Sequence, residues 1–282
     1  MTALGVDVGG TSLRVCSERG LVSTAAVPGG YDDLLETVTR MAPRGLLNAV
    51  VVGLPGATSP AAPRWVPSLP WLDGRPLAAD LGARLGGAPV TLANDAQLAL
   101  LAEVREGVAQ GARDAVLVSV GTGVGGAIMS GGRIIRGAHG TAGAFGWLPA
   151  AGIEATADHG ALELAAAGTA LDRLAGPNLA GRDLIASACS GDSAARAAVD
   201  GWAGALGNGI AALASILDPD LVIIAGGLCE AFDAYAEPLR AAVRRAGSPD
   251  ARAVAVVPAG LGAHAGALGA LFAADCEVGV WS

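Results

Sequence analysis

Lysine is absent from this chain: all 18 basic residues are arginine. That absence excludes chemistry that depends on a lysine amine or its compact charge, namely the Walker A loop, the protein-kinase strand lysine and Schiff-base catalysis. Any phosphate site must use another device, and backbone N–H groups arranged as a nest or at a helix start are the available alternative. Cysteine is scarce too. Cys16, Cys189, Cys229 and Cys276 lie far apart with no C-x-x-C pair, so neither a disulfide framework nor a cysteine zinc site is indicated, and reduced thiols in the cytoplasm are expected. No apolar run is long enough for a membrane span, and the first ten residues lack the charged-then-apolar pattern of a secretory signal.

What the chain does have is 282 residues, 52% of them hydrophobic, with aromatics at only 4% and 43 glycines. Its core must therefore be built from Ala, Val, Leu and Ile on closely approaching backbones, in one or two globular domains. A net charge of −8 repels phosphate backbones and anionic lipid, which argues against nucleic-acid and membrane partners.

Hydrophobic periodicity predicts a three-strand meander over 3–8, 12–17 and 21–27, a helix over 31–41, a buried strand over 47–56 ending in a Pro-Gly loop, and a Pro-rich loop over 55–76. A helix (76–86), a strand (89–93) and a helix starting sharply at Asn94 follow. Residues 115–135 then repeat the opening plan of strand, glycine turn, strand, turn, strand. Helices are expected over 162–175, 192–217, 236–246 and 262–274, with strands over 221–227 and 252–258. Two α/β domains follow, 1–110 and 111–282, each opening on a glycine turn, with the closing helix able to pack back on the first.

In GVDVGGTSLRV (5–15), Gly9 and Gly10 permit a positive-φ turn with unobstructed N–H groups, and Thr11 adds a hydroxyl. A phosphate cradle and a plain hairpin are both open readings. GTGVGG (121–126) spells the dinucleotide fingerprint, but strand follows it where that fingerprint needs a helix, and no acid stands between 122 and 153. Asp7, just before the first turn, reads as a Mg²⁺ contact through water or as a turn cap. Asn94 and Asp95 stand at a strand-to-helix junction where N-x-x-Q resembles a capping box. A carboxylate held there could also accept the proton of a substrate hydroxyl.

These residues together resemble the ROK family of sugar kinases and sugar-responsive repressors: DVGGTSLR (7–14), LANDAQLALLAE (92–103), GTGVGG and LDPDLVIIAGG (217–227) stand in the family's order. The resemblance implies an α/β, two-domain actin-like ATPase (ribonuclease H-like) fold with a nucleotide cleft between domains, and transfer of the ATP γ-phosphoryl group to a sugar hydroxyl. It implies that Gly9, Gly10, Thr11, Gly121, Thr122 and Gly123 hold the phosphates and that Gly226 and Gly227 border the adenosine. Asp7 is implied near Mg²⁺, Asp95 as the catalytic base, and Asn94, Gly56 and Glu163 at the substrate. A homodimer is implied as well. The repressors carry a DNA-binding region before the first phosphate motif, and six residues precede Asp7 here, so a kinase is expected rather than a regulator.

The departures cluster in 137–161. Ala144 replaces the family's acid and Trp147 its zinc-ligating imidazole, while Glu154, Thr156 and Ala161 occupy its cysteine positions. No structural zinc is expected, and Trp147 is expected to supply apolar packing in place of the metal. Losing an acid and an imidazole that read hydroxyls at the sugar's anomeric end disfavours glucose and favours a modified sugar or a C7-cyclitol of aminocyclitol biosynthesis. An ordinary hexose or N-acylhexosamine remains the alternative, a non-catalytic sugar-binding protein a second, and polyphosphate as donor is open. His139 and His159 are candidates for new contacts or for surface positions.

Overall fold

The computed structural model describes residues 2–18, 21–58, 62–66 and 68–275, which leaves Cys276 outside the described residues. The chain opens with β1 (Ala3–Val8), β2 (Ser12–Glu18) and β3 (Leu21–Ala26), joined as an antiparallel meander. Helix α1 (Tyr31–Met41) buries Leu34, Leu35 and Val38 and keeps Asp32 and Asp33 in its first turn, where acids complement the helix dipole. Strand β4 (Ala49–Leu54) is almost wholly buried and runs parallel to β1, as a continuous apolar run in a covered sheet should.

Within the Pro-rich loop, β5 (Ala57–Thr58) and β6 (Pro63–Arg64) form a small ribbon. Helix α2 (Leu77–Arg84), strand β7 (Val90–Asn94), parallel to β4, and helix α3 (Asp95–Glu106) complete this part, whose sheet runs β3-β2-β1-β4-β7.

The second half repeats the plan. Strands β8 (Ala115–Val120) and β9 (Val124–Ser130) form an antiparallel hairpin followed by the two-residue β10 (Arg133–Ile134). Helices α4 (Ala161–Ala166), α5 (Gly168–Ala175), α6 (Gly181–Cys189) and α7 (Ser193–Leu217) come next. Then follow β11 (Leu221–Ala225), α8 (Phe232–Ala246), β12 (Ala255–Pro258) and α9 (Ala265–Asp275). Four strands of this sheet run β9-β8-β11-β12, the last three parallel.

The described residues of Met1–Gly111, Gly132–Ala142 and Ala263–Ser282 form one compact unit, and Ala112–Gly131 with Gly143–Gly262 another. In the first, Leu4, Val6, Val52 and Leu54 meet Leu34, Leu81 and Leu92 in one core. Helix α9 belongs to this unit and lies against β1 so closely that a Cβ on Gly5 would stand 2.4 Å from the Ala267 carbonyl oxygen. The second unit's core gathers Val118, Ile224, Trp202, Leu206, Tyr235 and Leu239.

The structure departs from the sequence expectations at several elements. The expected helix over 162–175 is two helices, because the backbone at Ala167 turns extended (φ −74°, ψ 169°) and Gly168 N–H donates to Gly121 O at 2.7 Å instead of up the helix. Helix α8 starts at Phe232, four residues earlier than expected, and runs through Pro238, since Phe232 and Tyr235 are buried and their packing outweighs the lost hydrogen bond. Helix α6 has no counterpart among the sequence expectations.

Candidate active site

In the first unit, β7 delivers Asn94 and Asp95 to the start of α3. Asn94 caps the helix, its Oδ1 accepting from Gln97 N–H at 3.2 Å, while its Nδ2 donates to Gly56 O at 3.1 Å. One side chain thus ties the helix start to the Pro-Gly loop. Asp95 Oδ1 accepts from Ala96 N–H at 2.7 Å. Some of the residue reaches solvent, yet its carboxyl lies deep enough for burial to push its pKa up, against those backbone hydrogen bonds.

Gly56 has φ +90°, and a Cβ there would stand 2.1 Å from the Trp65 carbonyl oxygen, so only glycine fits this approach. Trp65 itself holds φ +52° with 47% of its surface exposed, a backbone state that costs a bulky residue about 1–3 kcal/mol. Nothing in the sequence marked that strain.

Asp7, at the end of β1, is 7% exposed, with Arg14 Nη1 3.5 Å from its Oδ2. Burial, and then the neighbouring Asp95 charge, raise its pKa to about 7, with Arg14 pulling the other way. Gly266 of α9 lies against this carboxyl, where a Cβ would come within 2.7 Å. The first glycine turn differs from its expected geometry: neither Gly9 nor Gly10 is among the positive-φ residues. Gly9 N–H closes a tight turn onto Ser12 O at 2.9 Å, and Gly10 faces Ser68. Extended β1 and β2 need only a short reversal here, which standard backbone angles supply.

In the second unit, Gly121, Thr122, Gly227 and Leu228 line a cavity of about 290 Å³ together with Gly168, Thr169, Leu171, Asp172, Gly181 and Arg182. Gly226 (φ +85°) sits where a Cβ would stand 2.5 Å from Val120 O, so β11 must end in glycine beside the turn. Thr169 Oγ1 donates to Thr122 O at 3.2 Å, and Gly181 N–H donates to Asp172 Oδ1 at 2.7 Å, which fixes α5 and α6 as walls. Sequence reasoning marks none of Thr169, Asp172 and Arg182: the first two sit on α5 without any motif, and Arg182 lies on α6, which was not expected.

Gly123 does not line the cavity; it rests on Glu163. Glu163 Oε2 accepts from Val124 N–H at 3.0 Å, and Oε1 lies 2.7 Å from His159 Nδ1. Trp147 is 43% exposed, whereas Phe145 is 5% exposed and lies under Gly126. Phe145 is thus the buried apolar residue of this 3₁₀ turn (Phe145–Trp147), while Trp147 keeps part of its surface in solvent. His139 is exposed. No group of three or more His, Cys, Asp or Glu side chains suited to a metal occurs among the described residues.

Paired α/β units that each open on a glycine-turned meander, one with a capped Asn-Asp at a helix start and the other with a cavity beside its turn, define a protein of the actin-like ATPase fold. The ROK family profile matches residues 3–276, and the chain belongs to that family. It is similar to a ROK hexokinase from Thermus thermophilus (TM-score 0.85, 32% identity, 98% of each chain covered). A ROK family glucokinase from Streptomyces griseus in complex with glucose and AMPPNP is also similar (TM-score 0.81, 28% identity, 98% of this chain and 99% of that one). Among curated proteins, a Streptomyces coelicolor glucokinase is 30% identical over 307 residues, 95% of each chain. The bifunctional enzyme NanE/NanK of Brucella melitensis is 38% identical over 200 residues, which span 69% of this chain but only 36% of that enzyme's length.

Proposed function

We propose that the protein is an ATP-dependent kinase that transfers the γ-phosphoryl group to a primary hydroxyl of a sugar or sugar-like cyclitol. The observation that carries this reading is Asp95, a carboxylate held by the Ala96 amide of its own helix beside Asn94, which in turn binds Gly56 O. In this role Asp95 accepts the proton of the acceptor alcohol, and Asn94 and Gly56 orient it. Burial raises the pKa of Asp95 and so makes the carboxylate a stronger proton acceptor than an exposed aspartate.

In the second unit, Gly121, Thr122 and Gly227 line the 290 Å³ cavity, which in this reading takes the nucleotide. Asp7 fits a divalent cation, because its buried carboxylate has Arg14 only at 3.5 Å and its charge is under-compensated. Mg²⁺ held there, through water, would neutralise charge on the phosphates. The similar glucokinase from Streptomyces griseus is in complex with AMPPNP, an ATP analogue, which supports ATP as the donor.

For the acceptor, Ala144 and Trp147 favour a cyclitol or modified sugar, since neither side chain can satisfy a hydroxyl as an acid or imidazole does. A second reading, an ordinary hexose or N-acylhexosamine, is supported by relatives named glucokinase and N-acetyl-D-glucosamine kinase. A homodimer in the cytoplasm is the assembly we propose. The test is ATP consumption with Mg²⁺ across hexoses, hexosamines, inositols and C7-cyclitols, beside Asp95→Asn. Turnover with at least one acceptor, reduced about 10²- to 10⁴-fold by the substitution, is expected. Silence across the panel would favour a non-catalytic binding protein instead.

A further inference from the structure

His159 has no role in the phosphoryl transfer just described, yet its ring makes a defined contact. Its Nδ1 lies 2.7 Å from Glu163 Oε1, and Glu163 Oε2 in turn accepts from Val124 N–H at 3.0 Å. A carboxylate can only accept, so Nδ1 carries the hydrogen. Val124 is the residue directly after Gly121–Gly123, so the carboxylate bridges an imidazole and the second glycine turn.

The bridge is sterically defined. A Cβ on Gly123 would stand 2.4 Å from Glu163 Oε2, and one on Gly146 3.0 Å from Glu163 Cβ, so the side chain fills the space beneath the turn. His159 reaches it from a held backbone: Thr156 N–H donates to His159 O at 2.8 Å, and His159 N–H donates to Thr156 Oγ1 at 3.0 Å. The next residue, Gly160, is packed so tightly that a Cβ would meet Gly146 O at 2.2 Å and Trp147 Cα at 2.4 Å. The ring is therefore aimed by its loop although more than half of its side chain is exposed.

We propose that His159 is a positioning residue that orients the Glu163 carboxylate and, through Val124 N–H, holds the Gly121–Gly123 turn in the shape that receives nucleotide phosphates. A carboxylate tied to one amide alone can rotate about its last bond. It would also set a bare negative charge beside a turn that must accept an anion. A donor on its second oxygen stops that rotation and draws part of the charge away from the turn. The proposal rests on the kinase reading for the identity of the ligand.

The experiment measures ADP affinity by calorimetry, and KM for ATP against kcat with the best acceptor, for the wild type and for His159→Ala, His159→Asn and His159→Gln. The amide nitrogen of Asn falls where Nδ1 stands, whereas that of Gln falls nearer Nε2. Loss of the imidazole in the Ala variant should weaken ADP binding and raise KM for ATP about tenfold with kcat little changed, and Asn should recover most of that loss where Gln does not. Melting temperatures of the variants report whether each is folded, and the Asn-against-Gln comparison separates geometry from general loosening. An Ala variant binding ADP as tightly as the wild type, or an Asn variant no better than Ala, overturns the role of His159 and leaves the kinase reading standing. A wild type that binds no nucleotide overturns both.

Discussion

At the scale of single residues, the chemistry concentrates on two acids of the first unit that burial treats alike. Asp7 ionises in the folded protein near pH 7 against 3.8 as an unperturbed carboxyl, chiefly through burial. Below about pH 4 it is protonated whether folded or not. Between about pH 4 and 7 the folded form holds the proton more tightly than the unfolded form, so the stability conferred by that proton is lost as pH rises through this window. The metal-free protein should consequently melt lower at pH 8 than at pH 5, with Asp95 adding to the trend in the same direction. Asp7→Asn, which cannot ionise, should flatten that slope; thermal melts of both proteins at the two pH values check it, and equal slopes would refute the assignment.

At the scale of elements, close backbone approach between glycine- and alanine-rich surfaces holds the helices. Helix α7 meets α8 at Gly207, where a Cβ would stand 2.4 Å from Leu239 O and 2.7 Å from Ala242 Cβ. Backbone cannot yield as a flexible side chain can. Gly207→Ala is therefore expected to destabilise by about 1–3 kcal/mol even though alanine is the better helix former, read as a lower urea midpoint with an unchanged slope. A higher midpoint would mean that propensity outweighs packing there. Helix α9 is bound in the same way, with a Cβ on Gly269 placed on top of Leu98 O.

At the scale of the molecule, the acidic balance and the cavity of the second unit lead to one measurable contrast. A chain of net charge −8 has no general affinity for polyanions, so any nucleotide binding must be local, through backbone donors. ADP at 100 times its dissociation constant should stabilise the protein by about 2.7 kcal/mol, visible as a raised melting temperature. An equal charge concentration of heparin or duplex DNA should leave the melt unchanged. A comparable shift with those polyanions would mean that bulk electrostatics, and not the glycine turns, bind the ligand.

Order along the chain was enough to reveal the repeated meander, the Asn-Asp helix start and both glycine motifs, because alternation, capping residues and Gly pairs are local signals that need no partner to be recognised. The Asn94 cap is such a case, its acceptor and donor only three residues apart. The kink at Ala167 depends on Gly121, and Gly56 is required by the carbonyl of Trp65. The Glu163 bridge to Val124 spans 39 residues. These belong to the tertiary structure alone: each depends on a steric or hydrogen-bonding partner remote in sequence, which no local preference of the chain encodes.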